Sequence, residues 1–301
     1  MISRVRELLV IEDGPRIRLE DRPAQGTRHE VLFGVMPDTA EPVVVKLERV
    51  PGALERERTA LAWLTAERGP VPRLLLAGTA PIGDERAACL VTERRPGSPP
   101  ATTDGWRRMG RAYARLSDFR HPADRLMTLD PIMFGRRHAQ RVSDLGGRLA
   151  PVAASVPDWE RLVSPEVPGS PLLVITHGDP GPGNFLDDGD EGTIIDWEEA
   201  HIAPRGLDLA RLVFIALLGA GPSGYVAREH RERASAALDG YLGALRDRWR
   251  PSREESRWWT TVAGVQFIHR RWERRGRPAS WEDAADVLRG ALAEDLVWSR
   301  G

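Results

Sequence analysis

Two aspartates and an asparagine, close together in the chain, are the residues best suited to chemistry. Asp179 is followed five positions later by Asn184, and Asp196 closes the β-rich run Thr193, Ile194, Ile195. Between Asn184 and Asp196 lie an apolar pair, Phe185 and Leu186, and a turn cluster over residues 187–192, which together read as a hairpin. Folded about Asp190, that hairpin sets Asn184 opposite Asp196, and directly opposed residues have Cβ atoms about 4.5–5.5 Å apart. An amide oxygen and a carboxylate so placed suit a hard cation. Mg2+ usually takes one or two protein oxygens and fills its remaining positions with waters and substrate phosphates. Asp179, at the head of the same loop, is then free to orient a hydroxyl. Pro180, Gly181, Pro182 and Gly183 fit neither helix nor regular strand and hold the loop in a fixed path. The competing reading is an acidic surface hairpin, which Asp187, Asp188, Asp190 and Glu191 satisfy.

A fourth group stands out by composition. Of the 43 Lys and Arg residues, only Lys46 is a lysine. Arginine serves solubility equally well, so a retained ammonium points to chemistry. A compact charge on a flexible stem contacts two phosphates and a carboxylate where a planar guanidinium does not fit. Lys46 lies in Val43-Val44-Val45-Lys46-Leu47-Glu48, a strong strand signal. Downstream, residues 53–67 have helical spacing, with Leu54, Leu61 and Leu64 on one stripe and Glu57 inside it. A carboxylate on a buried face needs a partner, and Lys46 supplies one. A plain first-turn glutamate favoured by the helix dipole is the alternative, and the two are compatible.

The segments His177-Gly178-Asp179, Asn184 and Ile194-Ile195-Asp196-Trp197-Glu198 resemble the aminoglycoside phosphotransferase and choline kinase superfamily, small-molecule kinases built on a protein-kinase-like fold. The resemblance implies an α+β, two-lobed fold: a small five-stranded antiparallel N-lobe with one main helix, and a mostly helical C-lobe. Residues 1–93 would be the nucleotide-binding lobe, 94–100 a hinge and 101–301 the catalytic and acceptor-binding lobe. It also implies that Asp179 accepts the proton of the acceptor hydroxyl, that Asn184 and Asp196 hold Mg2+, and that Lys46 with Glu57 serves the phosphates of ATP or GTP. The turn at Gly26 and Thr27 would cover those phosphates, and the backbone of Thr92 and Arg94 would meet the adenine edge. Asp208 resembles the aspartate that anchors the catalytic loop. Where the family often carries a histidine, Ser117 stands here.

The elements that must position these residues follow from pattern. Strands are expected over residues 17–20, 30–35, 43–47, 71–77 and 87–92, and a Pro/Gly connector follows them. Helices are expected over residues 104–119 and 136–150, a buried strand over 172–176, and three closing helices over 226–247, 254–275 and 281–298. His177 is either a structural residue bonded to nearby backbone or a proton carrier. Glu198 either pairs with an acceptor amine or caps structure. His269 shares a stripe with Trp258, Val262, Val265 and Trp272, which makes it a core residue or a substrate contact. The run Arg270, Arg271, Arg274, Arg275 and Arg277 reads as a solvated face.

Composition bounds the rest. A chain of 301 residues with net charge −1 gives no reason to expect nucleic acid as a partner. Its single cysteine, Cys89, excludes an internal disulfide and fits a reducing compartment. The apolar runs over residues 8–11 and 212–218 are too short for a signal peptide or a membrane span, so a soluble, cytoplasmic protein with no membrane partner is expected. The expected function is transfer of a γ-phosphate to a hydroxyl of a small molecule, with an antibiotic as first choice. The near-neutral charge leaves room for macrolide, peptide or nucleoside antibiotics besides aminoglycosides. The alternatives are a metabolite kinase for choline, homoserine or a sugar, a catalytically silent nucleotide-binding regulator, and a hydrolytic metal centre on His177, Asp179 and His201.

Overall fold

The computed structural model describes residues 8–12, 14–20, 29–48, 52–82, 85–119, 126–169, 172–218, 228–247, 249–273 and 281–293. The turn at Gly26 and Thr27 lies outside them. The chain divides into two compact units, Met1–Gly97 with Thr193–Ala200, and Ser98–Gly192 with His201–Gly301. The segment carrying Asp196 thus belongs with the first unit, although it lies deep in the region the sequence reading gave to the second lobe.

The first unit is an antiparallel sheet with one helix. Its strands are β1 Leu8–Val10, β2 Arg16–Leu19, β3 His29–Met36, β4 Glu41–Glu48, β5 Leu74–Ile82 and β6 Glu85–Glu93, in the order β1-β2-β3-β4-β6-β5. Among the described residues that makes six strands, one more than the expected five; the addition is the three-residue β1, paired Leu9 to Ile17. Strand alternation does the sorting. Val43, Val45 and Leu47 of β4 join Ile17, Leu32, Cys89 and Val91 in one apolar core, while Val44, Lys46 and Glu48 face the other way. Helix α1 Ala53–Ala66 buries Leu54, Leu61 and Leu64. Its Gly52 N-cap has no side chain to offer, and Glu48 supplies the missing acceptor to the Leu54 amide at 3.0 Å.

The second unit is mainly helical. Helix α2 Thr103–Arg115 packs along α7 Arg228–Ala244, and α6 Gly206–Leu217 lies against both α7 and α8 Arg253–Glu273. Gly110 and Gly240 allow the α2–α7 approach: a β-carbon on either would collide with the backbone carbonyl of Ala237 or Arg107. Helix α3 Pro131–Leu145 is capped by Asp130, which accepts from the Met133 amide at 2.8 Å, and it packs on α8 through Phe134 and His138 against Trp258 and Trp259. The short helices α4 Ala150–Ala153 and α5 Trp159–Leu162 follow, and α9 Trp281–Ala293 covers α8. Strand β7 Leu173–Thr176 pairs antiparallel with β10 His201–Pro204, Thr176 opposite His201. Two-residue strands, β8 Phe185–Leu186 and β9 Thr193–Ile194, flank the acidic turn. That turn is anchored within its unit by Arg108, which grips Asp187 with two hydrogen bonds of 2.7 and 2.8 Å. No helix among the described residues is long and apolar enough to cross a membrane.

Candidate active site

In the first unit the lone lysine finds the expected glutamate. Lys46 Nζ donates to both carboxylate oxygens of Glu57, at 2.8 and 2.9 Å, and to Asp196 Oδ1 at 2.6 Å. Glu57 is 3% exposed, so its charge is compensated inside the fold, as the stripe argument required. Burial by itself lowers the Lys46 pKa, but the charges of Glu57 and Asp196 outweigh it and raise the ammonium above its ordinary 10.5. The Trp197 amide also points at Glu57 Oε1, at 3.4 Å, and the buried Trp197 indole donates to the Ile194 carbonyl at 3.0 Å. Asp196 itself sits in the left-handed region, φ 68°, at the start of the 3-10 turn Trp197–Glu199.

Two further expectations in this unit meet competing contacts. Glu198 Oε2 lies 2.9 Å from His29 Nε2, so the carboxylate has a partner on β3. The Arg94 amide donates to the Pro42 carbonyl at 2.9 Å, and its guanidinium stacks over Phe33, 4.0 Å from the ring centroid. The Thr92 backbone lies in the sheet between Val44 and Leu74. An adenine edge reading Arg94 through its amide would have to displace the Pro42 bond.

In the second unit the loop after β7 is held rigidly from behind. Asp208, on α6 and 4% exposed, accepts from the His177 amide at 2.6 Å and the Gly178 amide at 3.2 Å. This is the anchoring role expected for it. His177 is fully buried and its Nδ1 accepts from the Asp179 amide at 3.2 Å, which favours the structural reading of that ring. Arg211 Nη1 donates to the Gly178 carbonyl and its Nε to Gln266 Oε1 at 2.8 Å. Burial, and after it the charge of Arg270, pushes the Arg211 guanidinium down to about 10, against the pull of Asp208.

Asp179 has a partner the sequence reading did not include: Arg270 Nη1 donates to its Oδ1 at 3.0 Å, while the carboxylate side chain stays 48% exposed. In the sequence Arg270 belongs to a basic run with the pattern of a solvated face. A charge repeated along a helix does not say which member meets a carboxylate 91 residues away. One signal was present. Gln266, a polar residue in an otherwise apolar stretch, is one turn before Arg270; it accepts from Arg211, which bonds the loop, and Arg270 meets the loop directly. The stripe ending in Trp272 is also corrected. Trp258, Val262 and Val265 are buried, but Trp272 is 40% exposed with the Arg148 guanidinium over its ring, and His269 lies between Asp144 and Glu273 at 3.4 Å each.

Asn184 in the second unit and Asp196 in the first each carry an oxygen suited to a hard cation. Asn184 Nδ2 is tied to the Asp179 carbonyl at 2.9 Å, which leaves Oδ1 as the acceptor, and the Asp196 side chain is 39% exposed. Both present hard oxygens of the kind Mg2+ prefers. The hydrolytic alternative has no such support: no group of three or more His, Cys, Asp and Glu suited to a metal occurs among the described residues.

A family model described as the phosphotransferase enzyme family matches residues 33–254. Among solved structures, the chain is similar to a macrolide 2'-phosphotransferase from Brachybacterium faecium, with 21% identity, coverage of 93% of this chain and 94% of that one, and a TM-score of 0.59. It is similar also to an aminoglycoside phosphotransferase from Alicyclobacillus acidocaldarius, at 16% identity, 98% and 97% coverage and a TM-score of 0.59. A choline/ethanolamine kinase family protein from Mesorhizobium loti gives 17% identity, 94% and 88% coverage and a TM-score of 0.56. At these identities the likeness is one of fold, the two-lobed kinase-like architecture. No curated protein matches the chain.

Proposed function

Because the chain belongs to the phosphotransferase enzyme family, we propose that it transfers the γ-phosphate of ATP or GTP to a hydroxyl of a small molecule. The observation that carries this reading is the triple contact of the sole lysine with Glu57 and Asp196. An ammonium so fixed is a ready counter-charge for nucleotide phosphates.

Asp179 takes the proton of the acceptor hydroxyl. The hydroxyl oxygen then forms its bond to the γ-phosphorus while the bond from that phosphorus to the β-γ bridging oxygen breaks, and the leaving nucleoside diphosphate carries away the electron pair. Lys46 compensates phosphate charge, and Glu57 keeps its ammonium in place. Asn184 and Asp196 are the metal ligands in this scheme, and a bound Mg2+ would supply further neutralisation of the phosphate oxygens. Positioning and electrostatics do the catalytic work, without a covalent intermediate. The anchoring of the loop by Asp208 and Arg211 supports this: a carboxylate that must meet one hydroxyl profits from a backbone that cannot wander.

An antibiotic acceptor has the support of the macrolide and aminoglycoside phosphotransferases the chain resembles in fold, and a metabolite acceptor that of the choline/ethanolamine kinase family protein. The test of the chemistry is Asp179→Ala. ADP release in the presence of acceptor should fall about 10²–10⁴-fold, the scale of a general base, with Mg-ATP still stabilising the protein in a thermal shift. Unchanged turnover would refute the assignment. A protein that binds Mg-ATP yet releases no ADP with any acceptor would be the silent regulator.

A further inference from the structure

The acceptor side of the proposed reaction is populated by guanidinium groups, and they are unequally engaged. Arg211 is buried and committed to the Gly178 carbonyl and Gln266. Arg270, with a side chain 39% exposed, holds Asp179. Arg141 is half-buried and, among the described residues, has no carboxylate within ion-pair distance. It shares a helical stripe with Phe134, His138 and Leu145, and Phe134 and His138 pack on Trp258 of α8. Further along the same pair of helices Asp144 lies 3.4 Å from His269, the neighbour of Arg270. Arg141 therefore lies on the face of α3 that meets α8, between the His138–Trp258 and Asp144–His269 contacts.

Most of the carboxylates that face this cluster also have other contacts. Asp208 is spent on two backbone amides, and Asp144 and Glu273 flank His269. Burial, and after it the charges of Arg270 and Arg137, depresses the Arg141 guanidinium, against weaker help from Glu273 and Asp144. That leaves Asp179 as the counter-ion of Arg270, and when Asp179 accepts the proton of the acceptor hydroxyl its negative charge is lost. A second anion is needed at that moment.

We propose that the acceptor carries it: a carboxylate or phosphate bound by Arg270 and Arg141, with Arg270 exchanging Asp179 for that anion as the acceptor hydroxyl arrives. Planar guanidinium forks match both anions bidentately. A cationic acceptor would instead face the Arg270 and Arg141 guanidinium groups. The proposal rests on the kinase reading and narrows it, setting the chain apart from enzymes built for aminoglycosides or choline.

The test uses the full chain with Mg-ATP, whose binding is first established by thermal shift. ADP release is measured over hydroxy acids and phosphorylated alcohols, among them glycerate, homoserine and glycerol 3-phosphate. Each is paired with its methyl ester or its dephosphorylated alcohol, and kanamycin, erythromycin and choline are added. An anionic acceptor should be turned over with kcat/KM at least about 100-fold above its neutral partner, and whether acids or phosphates respond identifies the anion. Arg141→Gln should shrink that preference about tenfold, through KM for the anion more than through kcat. Turnover confined to neutral or cationic compounds, equal rates for acid and ester, or no anionic acceptor above background while Mg-ATP binds would each overturn the proposal. Failure to bind Mg-ATP would instead remove the kinase reading on which it stands.

Discussion

Lys46 Nζ lies 2.6 Å from Asp196 Oδ1 while it holds both oxygens of Glu57, so a single ammonium ties a strand, a helix and the turn after β9 to one point. Only a small, flexible donor satisfies three carboxylate oxygens from that position. Lys46→Arg keeps the charge but not the fit, and kcat/KM for the nucleotide should fall by about 10²-fold or more. Steady-state kinetics checks this, with circular dichroism to establish that the fold is kept. Full activity in the arginine variant would remove the significance of the lone lysine. The raised pKa sets the sign of the pH effect. The pairing contributes fully below the ordinary 10.5 and is lost only as pH climbs through the raised value, so Lys46 should impose no loss of melting temperature between about pH 7 and 10.

Asp208 is a positioning residue, and its variant should behave differently from one in Asp179. Asp208→Ala leaves the His177 and Gly178 amides unpaired in a buried setting. Charge-assisted hydrogen bonds of this kind contribute about 1.5–3 kcal/mol each, so a loss of about 3 kcal/mol in denaturant unfolding is expected. The discriminating readout is kinetic: kcat should drop while KM for the nucleotide stays near wild type, since only the acceptor loop has been loosened. A stability loss without any kcat effect would mean that Asp208 supports the fold and not the loop.

His138 predicts an acid limb in stability that has nothing to do with catalysis. Its ring is fully buried against Trp258, with Nε2 3.1 Å from the Leu162 carbonyl, and burial, opposed by that hydrogen bond, lowers its pKa from 6.5 to about 4. The folded protein thus resists protonation that the unfolded chain accepts. The contribution is whole above pH 6.5 and is lost as pH falls toward 4, up to about 3 kcal/mol by linkage. Melting curves of wild type and His138→Gln over that range should converge as pH falls. Parallel curves would exclude His138 as the source.

Much of this was legible in the sequence, and what was missed was missed for physical reasons. The Lys46–Glu57 pair could be read because a strand and an amphipathic helix each constrain which residues face the interior. Helix α6 was not expected as an element because it is apolar on nearly every side: from Gly206 to Leu217 only Ile215 is not buried, and without a polar face there is no period to detect. Strand β10 is buried at all four positions and ends in proline, so neither alternation nor propensity marks it. The acidic turn looked wholly solvated, yet Asp187 is an internal anchor gripped by Arg108. Arginine pairings across long stretches of chain were invisible in a sequence where arginine is nearly the whole basic complement.

The left-handed backbone at Asp196 has a consequence for which residues can ever stand there. Besides glycine, short polar side chains that bond locally are the ones that visit this conformation routinely, and others pay roughly 1–2 kcal/mol for it. Glutamate, although an equally good oxygen donor, is disfavoured by its backbone preference before ligand chemistry is considered. Mutational drift at this position is therefore channelled toward aspartate, asparagine and glycine, and each step away from aspartate removes the negative charge while leaving the turn intact. Loss of activity by mutation at residue 196 should accordingly leave behind well-folded, expressible proteins, an easy route from an enzyme to an inert relative of itself.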